Sequence, residues 1–360
     1  MMSTNLAIEL VPGAIVAPLR SLTLAKSQAS PGTFDGGVYD ANGQVVTRGL
    51  QLKASYNNEP LPWEEGTIVS TIAGTHLFGG MLQARHFGHF LTESLSRMWA
   101  FKALQNSVQS VVFYLRDITE DVEPWVNETF REFFPEANLT LVRAETRFET
   151  LIVPDQSIHP DYKQIVGTPL IRQAFSQAKF PYRGTRRDVY ISRSKLHVRD
   201  GGILGETHIE QMLQRDGYDI IYPERLTIEQ QVQLYRTSGR TIFAEGSAIH
   251  LFALCATPTH RPFIIWRRRV NGVFQDQLRS FTGKDLPGSA RVKELWIASK
   301  RGSDPVTARA SVDMHGIEGD LRVNGFISDQ PWDEYDTKRD DEELRELGKL
   351  RNDPYLPHPV

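Results

Sequence analysis

Several features that would settle the class of this chain at once are scarce or missing. Among 360 residues there is one cysteine, Cys255, which excludes an internal disulfide and a cysteine-built metal knuckle. Set in an apolar helical segment, it reads as a small buried hydrophobe rather than a nucleophile, and the chain as a cytoplasmic protein of a reducing compartment. No apolar run approaches the roughly 18–20 residues that span a bilayer. Residues 1–10 also lack the charged start and apolar core of a signal peptide. No transmembrane segment is expected, and peripheral membrane association stays open. Charge of one sign is missing too: the net value of −3 gives no general pull toward nucleic acid. There is no internal repeat and no low-complexity tract.

What is present is ordinary soluble-protein composition, 40% hydrophobic and 24% charged, over a length that suits two domains better than one core. Residues 1–60 are rich in Gly, Pro, Asn and Ser and read as irregular β structure. A strand is predicted at 67–72, a helix with apolar Leu91, Leu95, Met98 and Leu104 at 90–104, a buried strand at 110–115, a helix at 121–134 and short strands at 139–142 and 150–153. This alternation favours a layered α/β domain. A breaker cluster at 180–185 is the candidate linker. Beyond it the pattern is regular, with strands at 188–193, 218–222, 240–244 and 263–267 and helices at 206–216, 227–238 and 247–255. Thr227 with Gln230 forms a capping box, and the apolar strands with short connections predict a parallel sheet covered on both faces. Residues 270–335 are less legible. Residues 340–351 predict a charged helix with Leu344, Leu347 and Leu350 on one side, and the proline-rich end beyond it is expected to fray.

Four constellations carry chemistry. At Glu245-Gly246-Ser247-Ala248 an apolar strand meets a small-residue turn that opens into a helix, continuing to His250. Such a turn points backbone N–H groups at an anion, with Ser247 as N-cap or donor; the bland alternative is a tight turn and nothing more. Arg193, Lys195 and Arg199 follow the strand 188–193, at the ligand edge of a parallel sheet, where cations neutralise a departing phosphate; a solvated basic loop is the alternative. Glu224 lies at the same edge, suited to a ribose hydroxyl or merely to a helix entry. His89, Glu93 and Arg97 recur at i, i+4, i+8 and would form a polar stripe on the helix. There either His89 or Glu93 acts as general base, or the histidines are satisfied structural groups. His86, His89 and Glu93 share an arc that would also admit a metal.

These residues resemble glycosyltransferase family 61, which includes bacterial capsular polysaccharide biosynthesis proteins and eukaryotic O-linked sugar transferases. One block runs from Gly88-His89-Phe90 through Glu93 to Arg97-Met98-Trp99. The other runs from Tyr190 to Leu254, with Ile191-Ser192-Arg193, then Arg199 and Glu206, Tyr222-Pro223-Glu224 with Glu229-Gln230, and Gly246-Ser247-Ala248-Ile249-His250. Two departures stand out. Glu245-Gly246-Ser247 replaces His-Gly-Ala, and Ser96 replaces a proline. The resemblance implies an α/β, GT-B-like fold of two Rossmann-like domains facing a central cleft. Residues 1–180 would be the acceptor-side domain, with His86 and Arg97 toward the acceptor. Residues 181–330 would bind the nucleotide sugar through Arg193, Lys195, Arg199, Glu224, Glu245, Gly246, Ser247, Ala248 and His250. Residues 331–360 form a charged helix and tail able to pack back on the first domain. The implied reaction is inverting hexosyl or pentosyl transfer to a glycan acceptor, in capsular or exopolysaccharide biosynthesis. No Asp-x-Asp stands at a strand end and Asp340-Asp341 lies in the tail, so no cofactor and no metal ion are expected to be required. The alternatives are a non-catalytic glycan-binding or scaffold protein of this fold and a metal-dependent hydrolase using His86, His89 and Glu93. The sequence leaves the oligomeric state open.

Overall fold

The computed structural model describes residues 6–21, 33–53, 57–63, 68, 70–115, 121–176, 186–268, 272–301 and 305–359. The expected linker at 180–185 lies outside them. The chain divides into two compact units, Met1–Lys179 and Phe180–Val360. Among the described residues no helix is long and apolar enough to cross a membrane.

The first unit carries β1 (Ile8–Pro12), β2 (Ile15–Ser21), β3 (Thr33–Tyr39), β4 (Asn57–Asn58), β5 (Ser70–Leu82), α1 (Phe87–Thr92), α2 (Trp99–Leu104), β6 (Val111–Leu115), α3 (Pro124–Phe133), β7 (Leu139–Val142), β8 (Thr146–Pro154) and α4 (Pro169–Phe175). Its sheet runs β4-β3-β2-β8-β5-β6-β7, with β1 also on β8. β5, β6, β7 and β8 associate in parallel, whereas β2 pairs β3 and β8 antiparallel. The period-2 alternation of β6 divides the core. Val112 and Tyr114 join Phe78, Phe148 and Leu151 on one face. Phe113 turns to the other face and meets Phe130 at 5.6 Å, which in turn meets Phe90 at 5.9 Å.

β5 is far longer than the predicted strand at 67–72, because Gly74, Gly79 and Gly80 read as breakers when they are close-approach positions. A Cβ on Gly79 would strike the Phe113 ring. At Gly80 φ is +97° and a Cβ would lie 2.7 Å from Arg97 Nη1, so only glycine suits this bulge.

The predicted helix 90–104 is broken. α1 ends at Thr92, a 3₁₀ turn spans Ser94–Arg97, and α2 follows. Serine side chains compete for backbone here: Ser94 Oγ donates to Met81 O at 2.8 Å and Ser96 Oγ to Glu93 O at 2.6 Å. The break rotates Arg97 away from His89 and Glu93.

The second unit holds β9 (Arg187–Ile191), β10 (Gly202–Ile203), α5 (Glu206–Arg215), β11 (Asp219–Ile221), α6 (Ile228–Thr237), β12 (Ser238–Ala244), α7 (Ala248–Cys255), β13 (Arg261–Ile265), α8 (Gly272–Thr282), β14 (Gly288–Ser289), β15 (Val292–Ala298), β16 (Arg309–Val312), α9 (Met314–Val323), α10 (Lys338–Arg351) and β17 (Tyr355–His358). As the sequence predicts, β11-β9-β12-β13-β14 is wholly parallel. Alternation again sorts the core. Ile242 and Ala244 face α5 and α9, while Phe243 packs on Phe252 of α7 at 5.1 Å.

The capping box at Thr227 is present, with Gln230 N–H donating to Thr227 Oγ1 at 3.2 Å and Thr227 N–H to Gln230 Oε1 at 3.0 Å. Thr227→Ala is expected to cost about 1 kcal/mol, read as a lower urea midpoint with an unchanged slope.

A smaller sheet, β10-β16-β15-β17, occupies the stretch where the sequence was least legible. The chain end does not fray: β17 pairs antiparallel with β15, with Pro357 opposite Trp296. An edge strand tolerates proline because its outer N–H needs no partner. The tail is therefore held on the second unit, where Leu344 of α10 is buried and Gly205 N–H donates to Glu343 Oε2 at 2.9 Å.

Candidate functional site

In the first unit, α1 presents His89 half-exposed at 47% and brings its Nδ1 within 2.7 Å of Glu93 Oε1, a carboxylate that is only 2% exposed. Two further groups hold that carboxylate from below: Gln83 Nε2 donates to Oε2 at 2.8 Å, and Lys53 Nζ lies 3.1 Å from the same oxygen. Burial is the strongest single influence on Glu93 and pushes its pKa up. The His89 hydrogen bond, the Lys53 charge and the Gln83 hydrogen bond together outweigh it and leave the pKa below the ordinary carboxylate value. An ionised carboxylate can only accept, so Nδ1 must carry the proton. A ring that carries a single proton on Nδ1 has its lone pair on Nε2, the arrangement of an oriented general base.

His86 is exposed at the N-cap of α1, its ring 5.8 Å from that of His89. Arg97, expected on the acceptor side, is 1% exposed. Its guanidinium donates to Pro154 O at 3.0 Å, Leu50 O at 2.8 Å and Arg48 O at 3.1 Å, so it ties β8 to the segment before β5 and faces no solvent. Among the described residues no group of three or more His, Cys, Asp or Glu side chains is placed to hold a metal ion. The hydrolase alternative on His86, His89 and Glu93 thus lacks its ligand set, and Glu93 is already taken by Lys53 and Gln83.

In the second unit the order β11-β9-β12-β13-β14 has its topological switch between β9 and β12: the chain leaves β9 toward β11 on one side and returns to β12 on the other. Ligands of open parallel sheets bind at the carboxyl ends of the strands flanking such a switch. Arg193 follows β9 there and Gly246 follows β12. The two touch so closely that a Cβ on Gly246 would collide with Arg193 Nη1. The loop that carries Arg193 is fixed by α5. Glu206 Oε1 accepts from Arg193 N–H at 2.7 Å, Tyr190 OH at 3.0 Å and Ser192 Oγ at 3.0 Å. Glu210 Oε1 accepts from Ser194 Oγ at 2.6 Å. Burial raises the Glu206 pKa against these hydrogen bonds, and burial also lowers that of Arg193.

The remaining expected donor residues divide. Lys195, Arg199 and Glu224 are exposed, and Ser247 and Ala248 half-buried at the α7 entrance. Ser247 occupies the N-cap position but makes no side-chain cap bond. The N–H groups of Ile249 and His250 are already spent on Gly246 O and Ser247 O. Glu245 and His250 both turn inward. Glu245 is fully buried and pairs through Oε1 with the Arg268 guanidinium, while Arg267 Nε donates to its backbone oxygen at 3.1 Å. His250 Nδ1 lies 2.6 Å from Gln277 Oε1 and its ring stacks on Phe274 at 4.8 Å.

Sequence reasoning missed Lys53, Gln83, Arg267, Arg268 and Arg309. The first two come from distant segments and carry no local signal. Arg267-Arg268-Arg269, a basic run closing an apolar strand, was such a signal.

Residues 87–260 match a family model described as Glycosyltransferase 61. A solved structure, that of the bacterial iron-containing dodecameric glycosyltransferase TibC from enterotoxigenic E. coli H10407, is similar at 9% identity over 72% of this chain and 75% of that one, with a TM-score of 0.29; so low a score carries no weight for the fold. No curated protein matches the chain.

Proposed function

The chain belongs to glycosyltransferase family 61 through residues 87–260, and from that premise we propose that it is an inverting transferase acting on a nucleoside-diphosphate sugar and a glycan acceptor. The observation that carries the proposal is the His89–Glu93 pair, an exposed imidazole held in one tautomer by a buried carboxylate. In this reading His89 Nε2 takes the proton of the acceptor hydroxyl as the oxygen attacks the anomeric carbon. The bond from that carbon to the diphosphate breaks with its electron pair leaving on the phosphate. Arg193, Lys195, Arg199 and the turn at Gly246-Ser247-Ala248 stabilise the leaving charge, and Glu224 accepts from the ribose. His86 stands beside the acceptor. Guanidinium and backbone groups supply the counter-charge, so the transfer is proposed to be metal-independent. The proposal includes a GT-B arrangement, the first unit receiving the acceptor and the second the donor, and a role in capsular or exopolysaccharide synthesis.

Arg193→Ala is expected to lower kcat about 10²-fold, the cost of one lost charge-stabilising donor; a near-normal rate would remove Arg193 from the mechanism. The nucleotide class is read from thermal shift against UDP, GDP, CMP and dTDP, with and without a divalent ion. A ligand at about 100 times its Kd adds about 2.7 kcal/mol. One nucleotide shifting the melting point without metal agrees with the proposal. No shift with any of them favours a non-catalytic glycan-binding protein of the same fold.

A further inference from the structure

The second unit contains more buried positive charge than its own structure uses. Arg267, two residues past the end of β13, is 3% exposed, and Arg309, which opens β16, is 6% exposed. Both crowd the loop that follows Arg193. A Cβ on Gly201 would collide with Arg267 Nη1 and one on Gly202 with Arg309 Nη1, just as one on Gly246 would collide with Arg193. Carbonyl capping explains part of this. Arg193 Nη2 donates to Gly201 O at 3.1 Å, Arg267 Nη1 to Val306 O at 3.0 Å and Arg309 Nη2 to Val198 O at 3.4 Å. It does not explain the rest. Arg309 Nε is buried and has no hydrogen-bond partner among the described residues; such a group calls for an unseen water or ion.

The charges point the same way. Arg267 feels Arg193, Arg268 and Arg309 against the single carboxylate Glu245, and burial followed by these cations takes its pKa down to about 9. Glu245 is itself engaged by Arg268. The neighbouring acids Glu206 and Glu343 are pushed toward protonation, chiefly by burial, and Asp200, which also attracts Arg193, is exposed. A buried cluster of like charges is stable when a counter-anion completes it.

We propose that Arg267 and Arg309, with Arg193, form a phosphate-type anion site at the carboxyl ends of β9 and β13. Its ligand is the diphosphate of the donor, an assignment that rests on the transferase reading. Arg267 and Arg309 both lie beyond the region that matches the family model, residues 87–260. Two of the three arginines of the site therefore come from outside it.

Calorimetric titration of the full chain with inorganic pyrophosphate tests the site without requiring any transfer. The unaltered protein is expected to bind it. Arg267→Gln and Arg309→Gln should each weaken binding at least tenfold, and Arg267→Lys less than Arg267→Gln. Arg187→Ala, which removes an exposed cation from the opposite end of β9, should leave binding unchanged. Absent binding, or glutamine variants within twofold of the unaltered protein, overturns the site. Should the variants not fold, hydrogen exchange on the unaltered chain decides instead. Pyrophosphate should protect segments 198–205 and 306–310, and protection confined elsewhere overturns the inference. The two readings separate cleanly. Localised pyrophosphate binding without sugar transfer from any donor keeps the site and removes the transferase. Transfer retained by Arg309→Gln with unchanged pyrophosphate affinity does the reverse.

Discussion

His89→Ala should lower kcat/KM by about 10²–10⁴-fold, the range for loss of a positioned general base, while the folded state is kept because the ring is half-exposed. Glu93→Gln should also impair transfer, but through positioning. An amide presents an N–H as readily as an oxygen to Nδ1, so the ring is no longer held in one tautomer. The pH dependence of stability separates the roles of the two residues. The Glu93 pKa lies below its ordinary value although burial, the largest influence, raises it. A depressed folded pKa contributes stability that is complete above the unfolded value and disappears as pH falls through the folded one. The stability gap between the unaltered protein and Glu93→Gln should therefore be widest near neutrality and close in acid. A gap independent of pH would mean that the His89, Lys53 and Gln83 contacts do not hold the carboxylate ionised. A His89→Ala enzyme of near-normal rate would remove His89 as the base.

Glu245→Gln is expected to destabilise the second unit by about 3–5 kcal/mol, the cost of leaving a buried charge without its partner. The substitution conserves volume and removes the carboxylate that Arg268 engages and that Arg267 feels. Arg193, Arg267, Arg268 and Arg309 would then repel one another with little water to screen them. Urea denaturation followed by a probe in the second unit should show the lower midpoint. If the unfolding free energy falls by less than about 1 kcal/mol, the value typical of an exposed pair, the Glu245–Arg268 pair is screened and the arginine cluster needs no internal counter-charge. This outcome also bears on function. In the sequence Glu245 stands where the resembling family has a histidine. Buried as it is, Glu245 contributes to the charge balance around Arg267 and Arg268.

Local and periodic features were legible from sequence. Apolar runs of strand length with short connections specified the parallel strands β9, β11, β12 and β13. The Thr227–Gln230 pair specified the start of α6, and the glycine-serine turn specified the β12–α7 junction where Arg193 meets Gly246. Each signal sits within a few residues, so the sequence alone determined it. The His89–Glu93 pair belongs here too, because four residues on one helical turn bring two side chains together whatever else the fold does.

What tertiary structure decided depended on contacts between residues far apart in the chain. Helix α1 stops at Thr92, where Ser94 reaches Met81 and Arg97 reaches Pro154 and Leu50. No periodicity within residues 90–104 encodes those partners. Lys53 and Gln83 join Glu93 from separate segments. Arg309 reaches the loop after Arg193 from a different sheet. The glycines of β5 look like breakers until Phe113 and Arg97 occupy the space their missing side chains leave. Propensity and pattern act along the chain and so determined the elements and the His89–Glu93 pair. Burial and charge balance act across it, and only the folded chain decided which carboxylate stays ionised and which arginines stand together.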